Sequence, residues 1–244
     1  MLFTPKKPLW TVKEIGTELG LTQSMVYRYV ALLREVGLLD GDDSSKAYRV
    51  TDLVRPLADA AEATREPIGK IGLPWMTRLR DEFNETAFVE RRSGWFAYVM
   101  ERVESFHPVR LIFERGQAVA LHQGPSARLL LSELSYADRA RYFEFLGVDR
   151  TRYNPELLSD DALDLLNRKG VAEGNEESGE GLWSVSAAIR SDRSTIMATI
   201  GVAAPLFRVS ARQRQAICKK VATAAEEISE LILNPAARPS APQD

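Results

Sequence analysis

The stretch TVKEIGTELGLTQSMVYRYVALLREVGLL, residues 11–39, constrains the fold more than any other part of the chain. Thr11 stands three residues before Glu14, a capping-box spacing, and Val12, Ile15 and Leu19 then recur at helical period. Gly20 ends that helix, because a residue without Cβ tolerates the left-handed backbone of a tight turn. Thr22 is placed to cap a second helix running to about Val36, and Gly37 stops it. Met25, Val26, Tyr29, Leu32, Leu33 and Val36 form one apolar stripe, expected to pack. Gln23, Ser24, Tyr27, Arg28, Ala31 and Arg34 form the other face, uncharged or basic, with its hydrogen-bonding groups toward the N-terminal end. LLDGDDSSKAYRV then gives two short extended runs around GDDSS, a hairpin signal. Helix, short turn, helix and β-ribbon in this order predict a winged helix-turn-helix.

TDLVRPLADAAEATRE reads as a helical connector, with Pro56 in its first turns and Pro67 after it. IGLPWMTRLRDEFN is helical, with Pro74 tolerable only near its start. ETAFVERR, WFAYVMERVE and PVRLIFER read as strands, the first two joined by a Ser93-Gly94 turn. Helical patches follow near 126–146 and 160–169, the second entered by carboxylates that suit a helix N-terminus. LWSVSAAIR, a turn at SDRS and TIMATIGVAAP make a second hairpin. Ser210 and Gln213 repeat the capping-box spacing at the head of a last long helix, and NPAARPSAPQD has the composition of a disordered tail. The expected organisation is α+β: residues 1–50 the winged helix-turn-helix, 51–69 a linker helix, 70–233 a mostly antiparallel sheet flanked by helices, and 234–244 the tail.

Composition removes whole classes of function. With 244 residues, two domains is the natural expectation, and a net charge of −2 is far from the strongly basic balance that announces nucleic acid on composition alone. The single cysteine, Cys218, excludes an internal disulfide framework and suits a reducing cytoplasm. No apolar run approaches the ~20 residues of a membrane span. His107 and His122 are the only histidines, neither with a partner at metal-ligand spacing, so no metal and no cofactor are expected. HQGPS around Ser126 lacks the spacing of a nucleophile elbow and any acid–base partner. EGNEESGEG lacks the alternating oxygen ligands of a calcium loop and reads as a solvated turn. No catalytic residue is expected.

The N-terminal half of a recognition helix presents its outward residues to base edges in the major groove. Those residues here are Gln23, Ser24, Tyr27 and Arg28. Gln can pair bidentately with adenine and Arg with guanine, while Ser is permissive. Thr22 and the helix N-terminus can hold a phosphate, and Lys46 and Arg49 on the ribbon are placed for neighbouring backbone or minor groove. Asp42 and Asp43 at the ribbon tip would be repelled by phosphate. The near-neutral charge predicts modest non-specific affinity.

On these residues the chain resembles an IclR-type transcriptional regulator. That resemblance implies a winged helix-turn-helix, a linker helix and a GAF-like effector-binding domain, acting on a double-stranded DNA operator as a homodimer or dimer of dimers. Arg28 stands two positions after the family's usual Thr-hydrophobic pair, and Met25 where the Thr is common. MLFTPKKP resembles only the last turn of the family's long first helix, so that helix is expected to be truncated. The alternative is a small-molecule-binding module with weakened or lost DNA binding.

In the C-terminal half, GQAVALHQGPSARLLL, EESGEGLWSVSAAI and TIGVAAP resemble three family segments that line a small-molecule cavity. Carried over, they imply an effector site at Pro125, Ser126, Asn175, Leu182, Trp183, Ser184, Gly201 and Ala203. Ser184 stands at a frequent Cys position, Gly201 and Ala203 where serines supply hydroxyls, and Ala127-Arg128-Leu129 where the family has Gly-Lys-Ala. Fewer hydroxyls and more room imply an effector larger or less polar than a small keto acid, such as an aromatic acid.

Overall fold

The computed structural model describes residues 2–3, 7–42, 46–63, 67–147 and 154–234. The chain divides into two compact units, Met1–Pro67 and Ile68–Asp244.

In the first unit, strand β1 (Trp10–Thr11) leads directly into helix α1 (Val12–Leu19), then α2 (Gln23–Glu35), β2 (Leu39–Asp42), β3 (Ala47–Val50) and α3 (Val54–Ala63). The caps work as their spacing requires. The Thr11 side chain accepts from Glu14 N–H while Glu14 Oε2 accepts from Thr11 N–H at 2.8 Å, and Gly20 closes α1 at φ 63°. Thr22 Oγ1 accepts from Met25 N–H to start α2, and Gly37 takes φ 74° after it. The three strands form one antiparallel sheet in the order β1-β3-β2, and the order of elements is that of a winged helix-turn-helix.

The expected last turn of a first helix, MLFTPKKP, lies partly outside the described residues; residues 2–3 and 7–9 are irregular, and Trp10–Thr11 pair as a strand with Ala47–Tyr48, adding an edge to the wing. The apolar stripe of α2 does not pack as expected. Val26 is buried, but Met25, Tyr29, Leu32, Leu33 and Val36 are exposed, and Val30 is the second buried position. Positions four apart lie on one line of a helix, and Val26 and Val30 are the α2 residues that join α1 and the sheet in the core. The core of the unit is accordingly small: Trp10, Val12, Ile15, Val26, Val30 and Leu39, with Leu2, Phe3, Leu21 and Tyr48 against it. Asp43 and Ser44-Ser45 of the hairpin tip lie outside the described residues, as does the tail from residue 235.

The second unit opens with α4 (Ile68–Phe83), which begins earlier than its pattern suggested and leaves Pro74 inside the helix. An interior proline costs about 3 kcal/mol through a lost hydrogen bond and a clash with the preceding turn. Packing offsets that cost. Ile68, Met76 and Leu79 are buried, and Gly72 brings the helix so near β4 that a Cβ there would lie 2.9 Å from Val89 Cγ2. The order continues β4 (Thr86–Ser93), β5 (Phe96–Val103), β6 (Ala118–Ala120), α5 (Pro125–Ser132), α6 (Tyr136–Leu146), α7 (Pro155–Leu158), α8 (Asp160–Lys169), β7 (Val171–Asn175), β8 (Leu182–Arg190), β9 (Ile196–Pro205), a 3-10 turn (Leu206–Arg208) and α9 (Ala211–Leu233).

The sheet is antiparallel throughout, in the order β6-β5-β4-β9-β8-β7. Strand alternation splits its side chains between two layers. Val89, Trp183, Val185, Ile189, Ile200 and Val202 join residues of α4 and α9 in one core. Leu121, Leu129, Leu130, Leu131, Tyr142, Phe143 and Leu163 build a second core with Ala97, Ala188 and Ile196. This is a helix–sheet–helix arrangement of the GAF-like kind. PVRLIFER, read as a strand, is instead an irregular segment. Pro108 lacks a ladder donor, and side chains hold the run: Thr86 Oγ1 donates to Leu111 O at 3.0 Å, and Arg208 Nη1 to Val109 O at 2.9 Å. The expected single helical patch at 126–146 is two helices, broken before the Ser135 cap of α6.

Candidate DNA-reading face and effector cavity

All seven residues expected to meet DNA lie on the surface of the first unit: Thr22, Gln23, Ser24, Tyr27, Arg28, Lys46 and Arg49 are exposed. The structure gathers some of them and not others. Gln23, Tyr27 and Lys46 line one open cleft of about 630 Å³, together with Lys13, Arg34, Asp42 and Tyr48. Lys13 was not among the sequence candidates. Its place in the first turn of α1 brings it there, and only the pairing of β1 with the wing makes that visible. Arg34 lies over the Tyr48 ring, 6.0 Å from its centroid, which ties the far end of α2 to the ribbon. Arg28 lies outside the cleft with its guanidinium 5.7 Å from the Tyr29 ring centroid. Arg49 is paired with Asp40 at 3.2 Å, so its charge is already partly answered. Lys46 carries a positive φ of 53° at the loop end of the hairpin, immediately before β3.

In the second unit a cavity of about 170 Å³ opens between the sheet and the start of α5. Five of the eight expected effector residues line it: Pro125, Ser126, Leu182, Ser184 and Ala203. Three do not. Trp183 is fully buried in the opposite core, with its indole N–H donating to Glu173 Oε1 at 2.7 Å. Asn175 pairs across the ladder with Trp183, so it shares that face, and its Oδ1 accepts from Arg214 at 3.0 Å. Gly201 faces the correct side but offers no extra room. A Cβ there would sit 2.7 Å from the Phe88 ring and 2.8 Å from Val185 O, so the missing side chain is what lets Phe88 lie across the sheet.

The remaining wall comes from residues that the sequence reading passed over. Phe88 and Glu90 project from β4, and Leu111 and Phe113 from the irregular segment, with the Phe88 and Phe113 rings 4.7 Å apart. Gln117, Gln123 and Ser178 contribute at the rim. Among the described residues Glu90 is the only ionisable side chain on this wall. It is buried, its Oε2 has no hydrogen-bond partner among the described residues, and burial raises its carboxyl to about 7, with the Ser126 hydroxyl pulling the other way. The Ser126 hydroxyl also shares a hydrogen bond with Thr199 Oγ1 at 2.6 Å. Arg128, at the Lys position of the resemblance, turns away from the cavity and is buried against Glu177, so EGNEESGEG is not only a solvated turn.

Other candidate chemistry is absorbed by structure. His107 Nε2 meets Asn84 Nδ2 at 3.1 Å, and His122 Nδ1 meets the Tyr142 hydroxyl at 2.7 Å. The Cys218 thiol is pushed up to about 11 by burial and by the nearby Glu173 carboxylate, which leaves it unreactive. Among the described residues no group of three His, Cys, Asp or Glu is placed to hold a metal ion. No helix among them is long and apolar enough to cross a membrane.

A winged helix-turn-helix unit followed by a helix-flanked sheet with its own cavity defines a two-unit transcriptional regulator. The profile described as bacterial transcriptional regulator IclR C-terminal matches residues 60–230, and the chain belongs to the IclR family. It is 29% identical to the HTH-type transcriptional regulator KipR of Bacillus subtilis, over 93% of this chain and 91% of that protein. It is 26% identical to the HTH-type transcriptional regulator BhcR of Paracoccus denitrificans, over 90% of this chain and 79% of that one. The crystal structure of an IclR family transcriptional regulator from Brucella abortus superposes with a TM-score of 0.71 at 19% identity, covering 94% of this chain and 88% of the other. These relatives are regulators rather than enzymes.

Proposed function

We propose that this IclR-family regulator binds double-stranded DNA through α2 and the wing, and that a small organic effector in the second unit changes that binding. The observation that carries the first part is the cleft along α2 and the wing, where Gln23, Tyr27, Arg34 and Lys46 line one exposed surface. In this reading Gln23, Ser24, Tyr27 and Arg28 meet base edges, while Thr22, Lys46 and Arg49 meet phosphate or minor groove. The protein acts as a homodimer or dimer of dimers, because helix-turn-helix proteins read paired half-sites about one helical turn, ~34 Å, apart.

The cavity's volume supports an effector of about one six-membered ring: an apolar cavity of roughly 150 Å³ holds benzene. Pro125, Ser126, Leu182, Ser184 and Ala203 contact it in this reading. Coupling of ~1–3 kcal/mol between the two sites suffices to shift operator affinity several-fold or more.

Fluorescence anisotropy of the full chain against DNA from upstream of its own gene, over a salt series, tests the reading. Binding that exceeds scrambled DNA of the same composition at each salt supports it. Equal binding to both sequences rejects operator reading by this chain and favours a ligand-binding module. The exposed Met25, Tyr29, Leu32, Leu33 and Val36 are the specific observation on that side, since they leave α2 held by a small core.

A further inference from the structure

We propose that Glu90 is the polar anchor of the effector cavity, and that the effector is an uncharged single-ring molecule bearing a hydroxyl or primary amide rather than a carboxylate. The inference rests on the effector reading above and replaces the aromatic acid with a different chemical class.

Three observations carry it. First, no Lys, Arg or His lines the cavity among the described residues, and Arg128, two residues after Ser126 on the same helix, is committed to Glu177. A ligand carboxylate would therefore lose its hydration without meeting an opposite charge, and above about pH 7, where Glu90 is ionised, it would face a like charge. Second, Glu90 Oε2 is buried without a partner. A buried acceptor left unsatisfied is costly, and a donor arriving with the ligand relieves that cost. Third, α5 begins at the cavity wall on Gly124, which has no side chain to cap the helix. The first-turn N–H groups of a helix have no intrahelical acceptor.

A hydroxyl or a primary amide both donates and accepts. It can give its proton toward Glu90 and offer its oxygen to the helix start, whereas a carboxylate can do only the second. The rest of the wall suits an aromatic or alicyclic ring: Phe88 and Phe113 at their 4.7 Å spacing, Leu111, Val119, Leu182 and Ala203. The elevated protonation of Glu90 is consistent with this geometry, because the charged carboxylate is short of donors until one is brought in.

The test is calorimetric titration of the full chain at about pH 8, one unit above the Glu90 value, with benzyl alcohol and with benzoate as matched single-ring probes. The alcohol is expected to bind at least about tenfold tighter, the size of one hydrogen bond to a charged group. In Glu90→Gln, which removes the charge and adds N–H donors, benzoate is expected to gain and the gap to shrink below about threefold. The variant's thermal melt confirms that it is folded. Tighter binding of benzoate by the wild type, an unchanged gap in Glu90→Gln, or binding of neither probe overturns the proposal. Operator binding by the same preparations is measured without probe. Loss of operator reading with the alcohol preference intact rejects the regulator reading alone, and the reverse outcome rejects the ligand assignment alone.

Discussion

Glu90→Gln also gives a quantitative test of the fold, independent of any ligand. The carboxyl titrates at about 7 in the folded protein against 4.5 as its ordinary value. Between those two values the folded state keeps a proton that the unfolded chain has released. Stability therefore falls as pH rises through this window and levels off above 7. At about 1.36 kcal/mol per unit, the gap corresponds to roughly 3 kcal/mol of stability lost by pH 8. Glutamine has nearly the same volume and no charge, so its variant lacks that slope. Urea unfolding of both proteins, followed by tryptophan fluorescence at several pH values from about 4.5 to 8, isolates the contribution, because other titrating groups cancel in the difference. The variant should match the wild type near the acid end and exceed it by up to ~3 kcal/mol at the alkaline end. A flat difference would refute the desolvation of Glu90. A difference of opposite sign would mean that the folded protein supplies Glu90 with a positive partner.

Arg28→Ala is expected to weaken specific operator binding by about 1–3 kcal/mol and relax preference at one base pair, read by anisotropy against single-substituted operators; unchanged affinity and preference would remove Arg28 from base reading. Arg208→Ala strands Glu85, a buried carboxylate now held at 2.5 and 2.9 Å, and should cost about 3–5 kcal/mol in urea unfolding. Adding Glu85→Gln to that variant should recover part of the loss. Gly201→Ala forces Phe88 or the β8 backbone to give way and should cost about 1–3 kcal/mol, with a lower melting temperature. Thr11→Ala removes the side-chain half of the first capping box, leaving the residue-11 N–H to donate to Glu14, and should destabilise the N-terminal unit by about 1 kcal/mol, seen in the unfolding of the full chain by circular dichroism.

The parts of the fold legible in the sequence were those written in local chemistry. Thr11–Glu14, Thr22 and Ser210–Gln213 mark helix starts because capping is satisfied within three residues, and Gly20 marks a stop because φ 63° suits a residue without Cβ. What escaped was set by distant partners. Val26 and Val30 are buried, rather than the broader stripe of α2, because the line of that helix in the core is chosen by its partners in α1 and the sheet, and no local period says which. PVRLIFER has the composition of a strand, but Thr86 and Arg208 take its carbonyls.

In the cavity, resemblance supplied whole segments where the pleat selects alternate residues. Leu182 and Ser184 reach the cavity, while Trp183 between them points into the other layer. The period of two was present in LWSVSAAIR and would have excluded Trp183. Glu90 lay inside an ordinary-looking strand, and nothing short of the cavity itself separates it from a solvated glutamate.

The alternation at residues 182–184 also equips the protein with an optical reporter. Trp183 is sealed from solvent, bonded through its indole N–H to Glu173, and overlain by Arg214 at 5.7 Å from its ring, one peptide away from a cavity-lining serine. Emission from a tryptophan so placed is insensitive to quenchers in bulk water but responsive to small shifts of the strand carrying it. Occupancy of the cavity can then be followed by the protein's own light, with Trp183→Phe as the blank.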